Sequence, residues 1–295
     1  MKESIHGILL RGIGSFYTAE GPDGTLYTLR CQKKIRREHM SPLVGDEILF
    51  TPGNGEEYGW LEEILPRRTE CLRPPVANVD TLVLVVSPIP EPDLMLCDRL
   101  IARAYAQGMN VLIAANKTDL DENAAGRLMT EYRNTEIPIY PVSAKTGEGL
   151  ERLREAMTGS VCCMTGQSGA GKSTLLNVLM GLQLDTGKLS EKIERGKNTT
   201  RHAELLRGAG LRVMDTAGFS LLETEKELPP EHLKERYPEY LPWEGKCRFS
   251  ECLHDREPGC AVAEAVGRGE LSAERWERYR LLLAEIREAW RNRYD

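Results

Sequence analysis

Residues 166–173 have the types and the spacing that bind nucleotide phosphates. They read G-x-x-x-x-G-K-S, with the fixed positions at Gly166, Gly171, Lys172 and Ser173. A short apolar run precedes this pattern, and apolar residues at helical spacing follow it. Glycines let backbone N–H groups converge on phosphate oxygens, and the N-terminus of a helix adds further N–H groups and partial positive charge. The order of strand, loop and helix therefore predicts a phosphate-binding loop rather than a glycine-rich turn that binds nothing.

The last two residues of this loop have separate expected roles. Lys172 is expected to reach the β- and γ-phosphates and to stabilise the charge that develops during phosphoryl transfer. Ser173 is expected to ligate Mg²⁺.

Two further polar segments follow predicted buried strands and are suited to a guanine base. The Asp119 carboxylate can accept hydrogen bonds from both N1–H and the exocyclic amine of guanine, whereas adenine has no such pair of donors. An unpaired buried edge would cost the wrong base roughly 1–3 kcal/mol. Asn116 would brace the adjoining loops and meet the base edge, the Lys117 stem would stack on the ring, and a backbone N–H of the second segment would meet the guanine carbonyl oxygen. The segments, for which a coincidental surface loop is the alternative, are Asn116, Lys117, Thr118 and Asp119 (N-K-x-D) and Ser143, Ala144 and Lys145 (S-A-K).

The chain beyond the phosphate-loop helix contains candidates for a γ-phosphate sensor. Thr199 and Thr200 lie in a polar segment where a threonine could ligate Mg²⁺ when a γ-phosphate is present, and we favour Thr200. Asp215 begins a D-x-x-G pattern after a predicted strand, and Gly218 ends it. Asp215 would hold Mg²⁺ through water, and the Gly218 N–H would sense the γ-phosphate. His202 is a candidate for positioning the attacking water, and an exposed histidine without that role is the alternative.

Four residues towards the end of the chain have the chemistry of zinc ligands. Cys247, Cys252, His254 and Cys260 form the pattern C-x4-C-x-H-x5-C. Thiolates and imidazole suit Zn²⁺, and four protein ligands leave no open position for catalysis. The pattern predicts one structural Zn²⁺ in a segment with too little core to fold alone, and cysteines clustered by chance are the alternative. The remaining cysteines, which we expect to be packing residues, are Cys31, Cys71, Cys97, Cys162 and Cys163.

The composition is that of an ordinary globular protein with a net charge of −6. This charge argues mildly against a general affinity for nucleic acid or anionic membrane, although it does not exclude a local basic patch. No apolar run approaches the roughly 18 residues of a membrane span, and the first residues lack the apolar stretch of a signal peptide. We therefore expect a cytoplasmic protein with no membrane or DNA partner, and a monomer by default.

The pattern of elements predicts a multidomain chain with three parts. Short strands in residues 1–68, beginning with one strand-like stretch at 6–17, suit a small OB-fold-like β barrel. Alternating strands and helices in residues 69–228 indicate an α/β domain with a mostly parallel sheet. Residues 229–295 would form a mainly helical zinc-binding domain. Its last helix, from Ser272, has an apolar side that is expected to pack on the zinc segment, with partner binding as the alternative.

The predicted barrel has features that suit RNA. Tyr17, Tyr27 and Trp60 could stack on bases, and one connecting segment is basic. The alternative is equally supported by these residues: the aromatic side chains would be core and the basic ones would be a solvated loop. The basic residues are Lys33, Lys34, Arg36 and Arg37.

The nucleotide motifs occur in an unusual order. In most GTPases N-K-x-D and S-A-K follow the phosphate loop and D-x-x-G, whereas here they precede them. The chain therefore resembles a circularly permuted GTPase. With its barrel and zinc segment it resembles, over nearly its whole length, the ribosome small-subunit-dependent GTPases (RsgA, also called YjeQ or YloQ).

This resemblance implies a cytosolic bacterial GTPase that hydrolyses GTP to GDP with Mg²⁺. It implies binding to the 30S ribosomal subunit through 16S rRNA, a role in late subunit maturation, and release driven by subunit-stimulated hydrolysis. Two departures stand out: Ala217 replaces the usual proline and Asn198 a usual histidine, and neither is expected to prevent GTP binding. The nucleotide contacts carried over are 116–119 and Thr165, Gly166, Gln167, Ser168, Gly169, Ala170, Gly171, Lys172 and Ser173, and the zinc ligands are the four residues above.

Phe219 stands where many GTPases have a glutamine that orients the attacking water. Phenylalanine cannot hydrogen-bond water, so we expect slow hydrolysis alone and a partner that orders the switch or delivers a polar group. The main alternative is a regulatory GTPase with a protein effector, which the acidic net charge favours slightly. A second is an ATP-dependent kinase with the same phosphate loop, against which N-K-x-D argues.

Overall fold

The computed structural model of the chain describes residues 4–31, 41–54, 57–72, 75–182, 203–215 and 228–292. In these ranges a β barrel, an α/β sheet and a helical segment follow one another along the chain. The predicted basic cluster at residues 33–37 lies outside them. Of the helices described, none is both long and apolar enough to cross a membrane.

The first part is a closed five-stranded barrel. Its strands are β1 (Ile5–Ile13), β2 (Phe16–Glu20), β3 (Leu26–Cys31), β4 (Glu47–Thr51) and β5 (Gly59–Ile64). They lie in the order β1-β2-β3-β5-β4, and β4 pairs with β1 to close the barrel. Leu9, Leu29, Ile48, Phe50 and Leu61 fill the interior. This architecture confirms the predicted OB-fold-like barrel.

The stretch 6–17 is two strands, so its prediction as one strand-like stretch was wrong. The chain reverses at Gly14, whose φ of +61° is a conformation that glycine adopts at little cost. β2 then returns antiparallel to β1, with Phe16 opposite Ile13. The sequence between the two strands is only two residues long, which is why the alternating pattern reads as continuous.

A short hairpin connects the barrel to the sheet. It consists of β6 (Glu70–Leu72) and β7 (Pro75–Ala77), where the sequence predicted only a proline-containing connection. The sheet that follows contains the strands β8 (Thr81–Val86), β9 (Asn110–Ala115), β10 (Ile139–Pro141), β11 (Val161–Thr165), β12 (Glu204–Gly208) and β13 (Leu211–Asp215). Its helices are α1 (Leu94–Ala106), α2 (Ala124–Glu131), α3 (Leu150–Met157) and α4 (Lys172–Met180).

Helices cover both faces of this sheet, which confirms the predicted α/β architecture. The strand order is β10-β9-β8-β11-β13-β12, and all neighbours are parallel except β12. Every residue of β8 is buried. Leu82 and Leu84 share a core with α1 and α2, whereas Val83 and Val85 share one with α3 and α4. A strand buried on both faces reads as a continuous apolar run, as parallel strands do.

The antiparallel strand β12 was not predicted, and it joins the two sheets. It pairs with β13 along its length, and Glu204 lies opposite Arg11 of the barrel strand β1. The barrel and the α/β sheet therefore form one continuous hydrogen-bonded surface.

The third part combines short 3₁₀ turns with two helices. The turns are Pro230–His232, Lys234–Arg236 and Pro238–Trp243, and the helices are α5 (Ala261–Gly267) and α6 (Ala273–Arg291). The Ser272 hydroxyl caps α6 by accepting from the Arg275 N–H at 3.1 Å. The Tyr279 hydroxyl donates to the Leu253 carbonyl at 2.5 Å, so α6 packs on the zinc segment, as expected.

A buried ion pair joins the barrel to the connection that leads into the sheet. Asp46 is fully buried and accepts from Arg67 Nε at 2.7 Å and from Arg67 Nη2 at 2.9 Å. Arg67 also donates to the Ser41 carbonyl at 2.7 Å and pairs with Glu70 at 2.9 Å. The hydrogen bonds to Asp46 raise the pKa of Arg67 above its ordinary value. This pair thus ties the entry of β4 to the exit of the barrel.

Replacing Arg67 by methionine would leave the buried Asp46 carboxylate without its cationic partner. We expect Arg67→Met to lower the free energy of unfolding by about 3–5 kcal/mol, because an uncompensated buried charge is costly. Urea unfolding followed by circular dichroism measures this. Arg11→Met is the matched control: its exposed pair with Glu204, at 4.0 Å, should contribute less than about 1 kcal/mol. Equal effects of the two variants would contradict the role given to Arg67.

Candidate functional site

The predicted phosphate loop lies between β11 and α4, at the carboxyl edge of the parallel sheet. Thr165 ends β11 and is buried, and Lys172 begins α4. Gly166 has a φ of +138°, and a Cβ there would lie 2.2 Å from the Val85 carbonyl oxygen. Only glycine therefore allows the loop to pass this close to β8.

The Lys172 side chain folds back over the loop. Its Nζ donates to the carbonyl oxygens of Gly166 and Gln167, both at 2.8 Å. Burial lowers its pKa below the usual value for lysine. A bound phosphate would offer this ammonium group negatively charged oxygens in place of two neutral carbonyls. Ser173 lies in the first turn of α4, next to Lys172.

Asn116 connects the phosphate loop to the predicted base-recognition loops. It follows β9, is buried, and donates from Nδ2 to the Ala170 carbonyl at 3.0 Å. Its Oδ1 accepts from the Ala144 N–H at 3.2 Å. A Cβ on Gly171 would lie 2.5 Å from the Asn116 Nδ2, so the glycine makes room for this contact. One carboxamide thus holds three loops together.

Asp119 is oriented by the S-A-K segment. The Ser143 hydroxyl donates to its Oδ1 at 2.6 Å, and Lys145 Nζ lies 3.7 Å from its Oδ2. The hydrogen bond from Ser143 is the main reason that the pKa of Asp119 is below the usual value for aspartate. The carboxylate is therefore ionised at neutral pH and acts only as an acceptor, which suits the two donors of a guanine edge. The Thr118 N–H donates to the Val142 carbonyl at 3.2 Å and fixes the same turn.

A loop that the sequence analysis did not assign to the site, residues 87–93, supports both motifs. Lys117 has a φ of +64°, and its Nζ donates to the carbonyl oxygens of Ile89 at 2.6 Å and Gly169 at 2.7 Å. The Asp93 N–H donates to the Gln167 Oε1 at 3.0 Å. The three prolines of residues 88–92, between a buried strand and a helix, were the available signal for a shaped loop.

The γ-phosphate candidates Thr200, His202 and Gly218 lie outside the described residues, as does Phe219. Asp215 is the last residue of β13, whose neighbour in the sheet is β11. The backbone of Asp215 is thus placed at the same edge of the sheet as the phosphate loop.

The four predicted zinc ligands come together in the third part of the chain. One donor atom from each of Cys247, Cys252, His254 and Cys260 lies within 4.8 Å of all the others. His254 Nδ1 is 3.6 Å from the Cys247 sulfur and 3.5 Å from the Cys260 sulfur. Tetrahedral Zn²⁺ with bonds of about 2.0–2.3 Å places its ligand atoms roughly 3.5–3.8 Å apart. The donor set and its spacing therefore fit Zn²⁺.

Backbone N–H groups point at the sulfur atoms of this cluster. The Ala261 N–H lies 3.3 Å from the Cys247 sulfur, and the His254 N–H lies 3.4 Å from the Cys252 sulfur. Such donors favour the thiolate form, whereas burial raises the pKa of Cys252. A bound cation would resolve this conflict in favour of the thiolates. Outside the cluster, Cys71, Cys97, Cys162 and Cys163 are buried, and Cys31 is partly buried.

The barrel carries an aromatic and cationic surface that differs from the one considered in the sequence analysis. Tyr17 and Tyr27 pack against the barrel core, whereas Trp60 is 46% exposed. The Arg30 guanidinium lies 4.7 Å from the Phe16 ring and 4.9 Å from the Tyr58 ring. Arg30 is also the cross-strand partner of both Phe16 and Trp60. We call Phe16, Arg30, Tyr58 and Trp60 the barrel platform.

Comparison with known proteins decides the family. The profile of the RsgA GTPase family matches residues 64–225. The chain is 42% identical to the small ribosomal subunit biogenesis GTPase RsgA of Ruminiclostridium cellulolyticum, over 92% of this chain and 91% of that protein. The chain belongs to the RsgA GTPase family. An RsgA protein of the same description from Caldanaerobacter subterraneus is 38% identical and covers 99% of both chains.

Two solved structures related to the RsgA family share the architecture from end to end. YjeQ from Thermotoga maritima is 33% identical, with a TM-score of 0.84 over 96% of this chain and 99% of that one. YloQ, described as a circularly permuted GTPase, is 30% identical, with a TM-score of 0.80 over 97% and 96%. The permuted fold and the family inferred from motif order are confirmed, and membership of the RsgA family makes the chain a GTPase that hydrolyses GTP.

The close approach of Gly166 to β8 leads to a test of the phosphate loop in this RsgA-family protein. Gly166→Ala should weaken GDP binding at least about tenfold, because a Cβ pushes the loop away from β8 and a loss of about 1.4 kcal/mol is tenfold in affinity. Gly159→Ala is the control: it also has a positive φ, +83°, but no atom within 4 Å of its Cβ. Titration calorimetry with GDP measures both variants, and unchanged affinity in Gly166→Ala would refute the assignment.

Proposed function

We propose that this RsgA-family GTPase binds guanine nucleotide and Mg²⁺ at the carboxyl edge of its parallel sheet and acts in late maturation of the 30S ribosomal subunit. Contact with 16S rRNA would stimulate hydrolysis of GTP, and hydrolysis would drive release from the subunit. The observation that carries the nucleotide part is the Asn116 carboxamide, which joins the phosphate loop to the base-recognition loops in one buried contact.

The proposed nucleotide lies across these loops. Backbone N–H groups of residues 166–171 would surround the phosphates, and Lys172 would exchange its carbonyl partners for β- and γ-phosphate oxygens. Guanine would stack on the Lys117 stem and pair with Asp119. Ser173 and Thr200 would ligate Mg²⁺. Which protein group positions the attacking water stays a prediction, with His202 as the candidate within the chain.

A ribosomal partner is supported by the relatives and by the barrel. The two relatives above are both named small ribosomal subunit biogenesis GTPase. The barrel platform combines exposed rings with a cation, which is the chemistry that stacks on unpaired bases and contacts phosphates. All proposed site residues belong to one copy of the chain, so we propose that it works as a monomer, in the cytoplasm where ribosomal subunits mature. A protein effector in place of rRNA is the alternative.

We also propose one structural Zn²⁺, held by Cys247, Cys252, His254 and Cys260. Bound there, it would cross-link the chain around residues 247–260 and stabilise the small core on which α6 packs. His254 accepts from Trp276 through its backbone: Trp276 Nε1 donates to the His254 carbonyl at 2.7 Å. The metal would therefore also fix the position of α6.

Changing the base-reading carboxylate tests the nucleotide assignment. Asp119→Asn should weaken GDP binding by at least about 100-fold, because an amide presents a donor to the donor edge of guanine and leaves it unpaired. The same amide should improve binding of xanthosine diphosphate, whose 2-oxo group accepts a hydrogen bond. Competition for a fluorescent guanine nucleotide measures both. Asp121→Asn, two residues further on, is the control, and displacement of GTP by ATP as well as by GDP in the unaltered protein would refute guanine recognition.

Removing one zinc ligand tests the metal assignment. Cys252→Ser should reduce bound zinc from one atom per chain to less than about one-tenth and destabilise the third part, since the binding energy of a structural metal is folding energy. Elemental analysis and the near-UV circular dichroism of the tryptophans on α6 measure the two effects. Cys31→Ser, which lies in the barrel, should retain the zinc. Full zinc content in Cys252→Ser would contradict the proposed ligand set.

Binding to purified subunits tests the ribosomal partner. The protein with a non-hydrolysable GTP analogue should sediment with 30S and not with 50S subunits. Affinity should fall steeply with salt, since each phosphate contact adds roughly −0.7 to −0.9 to the slope of log K against log salt. Trp60→Ala should weaken binding, whereas Leu26→Ala, exposed at 55% on β3, should not. Binding that is indifferent to salt and to Trp60 would favour a protein effector.

A further inference from the structure

A fully buried aspartate links the α/β sheet to the third part of the chain. Asp98 lies on α1, and its Oδ1 accepts from Arg275 Nη1 and, at 3.0 Å, from the Tyr132 hydroxyl. Its Oδ2 accepts from Arg278 Nε. Both arginines belong to α6, which packs on the proposed zinc segment. One carboxylate thus receives three hydrogen bonds, and two of them come from the other part of the protein.

The arginines are held in place by further acids. Arg275 Nε donates to Glu239 at 2.5 Å, and Arg278 Nη2 donates to Glu131 of α2 at 2.8 Å. Burial opposes the charge of Arg275, but the Asp98 and Glu239 carboxylates outweigh it and raise the pKa of Arg275. A buried carboxylate that loses one such partner is strongly disfavoured, so this network defines one position of α6 against α1.

The opposite end of α1 reaches the phosphate loop. Asp93 caps the helix by accepting from the Leu96 N–H at 2.9 Å, and its own N–H donates to the Gln167 side chain at 3.0 Å. Asp93 and Asp98 are five residues apart, which is about 7.5 Å along a helix. The loop before Asp93 supplies the Ile89 carbonyl that holds Lys117. A displacement of α1 would therefore move a ligand of the phosphate loop and a ligand of the base-stacking lysine together.

We propose that Asp98 is a positioning residue for the nucleotide site: through Arg275 and Arg278 the zinc-bearing part of the chain holds α1, and α1 with the loop 87–93 holds Gln167 and Lys117. The proposal rests on the nucleotide site proposed above. Coupling between two sites is reciprocal, so nucleotide binding should in turn order α6.

Replacing Arg278 by methionine tests this coupling without touching the nucleotide loops. Arg280→Met is a closely matched control. Both arginines lie on α6, their side chains are 13% and 12% exposed, and each pairs with two carboxylates. The Arg280 partners, Asp255 and Glu277, belong to the third part itself. Zinc content and thermal unfolding of each full-length variant establish that it is folded.

We expect Arg278→Met to weaken GDP binding at least about fivefold, the lower end of ordinary allosteric coupling, and Arg280→Met to stay within about twofold of the unaltered protein. Hydrogen exchange gives a second readout. GDP should slow exchange of the α6 amides in the unaltered protein and in Arg280→Met, but not in Arg278→Met. A purely structural pair would not change this nucleotide-dependent difference.

Equal GDP affinity in Arg278→Met and in the unaltered protein would overturn the coupling while leaving the nucleotide site intact. Equal losses in both arginine variants would also overturn it, because the effect would then be general destabilisation of α6. Failure of the unaltered protein to bind GDP would instead refute the proposed function. If Arg278→Met does not fold, Arg278→Lys keeps a cation beside Asp98 and should give a smaller loss of affinity in the same comparison.

Discussion

The buried carboxamide of Asn116 is the contact on which the nucleotide site depends. It can bridge the phosphate loop and the S-A-K segment because β9, β10 and β11 are parallel and end at one edge of the sheet. Permutation leaves this arrangement intact, because it alters the order in which strands are joined but not their places in the sheet. The permuted order instead changes what lies beyond the site: β13 is the last strand, and the chain proceeds from it to the zinc-bearing part.

Most of the site could be predicted from the sequence because its chemistry is local. The phosphate loop, N-K-x-D and S-A-K are runs of consecutive residues, and their elements are marked by apolar runs and glycines. The proposed zinc ligands fall within residues 247–260, and the structure brings their donor atoms together as the spacing indicated. The barrel and the parallel sheet followed from strand and helix periodicity for the same reason.

What the sequence did not reveal depends on pairing between distant residues. Asp98 and Arg275 are 177 residues apart, and an aspartate on an amphipathic helix reads as a solvated side chain until the tertiary contact is known. β12 is short and only partly buried, so it carries little periodicity. Phe16 and Tyr58 meet over Arg30 only because β2 and β5 both flank β3. Their positions next to buried residues were the available hint, and register is not readable from a single strand.

The central claim is a GTPase whose hydrolysis is triggered by the small ribosomal subunit, with a phenylalanine at position 219 where a water-orienting glutamine is common. The most direct test is the GTP hydrolysis rate of the full-length protein alone, with purified 30S subunits and with purified 50S subunits. The account predicts slow hydrolysis alone and with 50S, and a large rise with 30S only. No rise with 30S, or an equal rise with 50S, would contradict it.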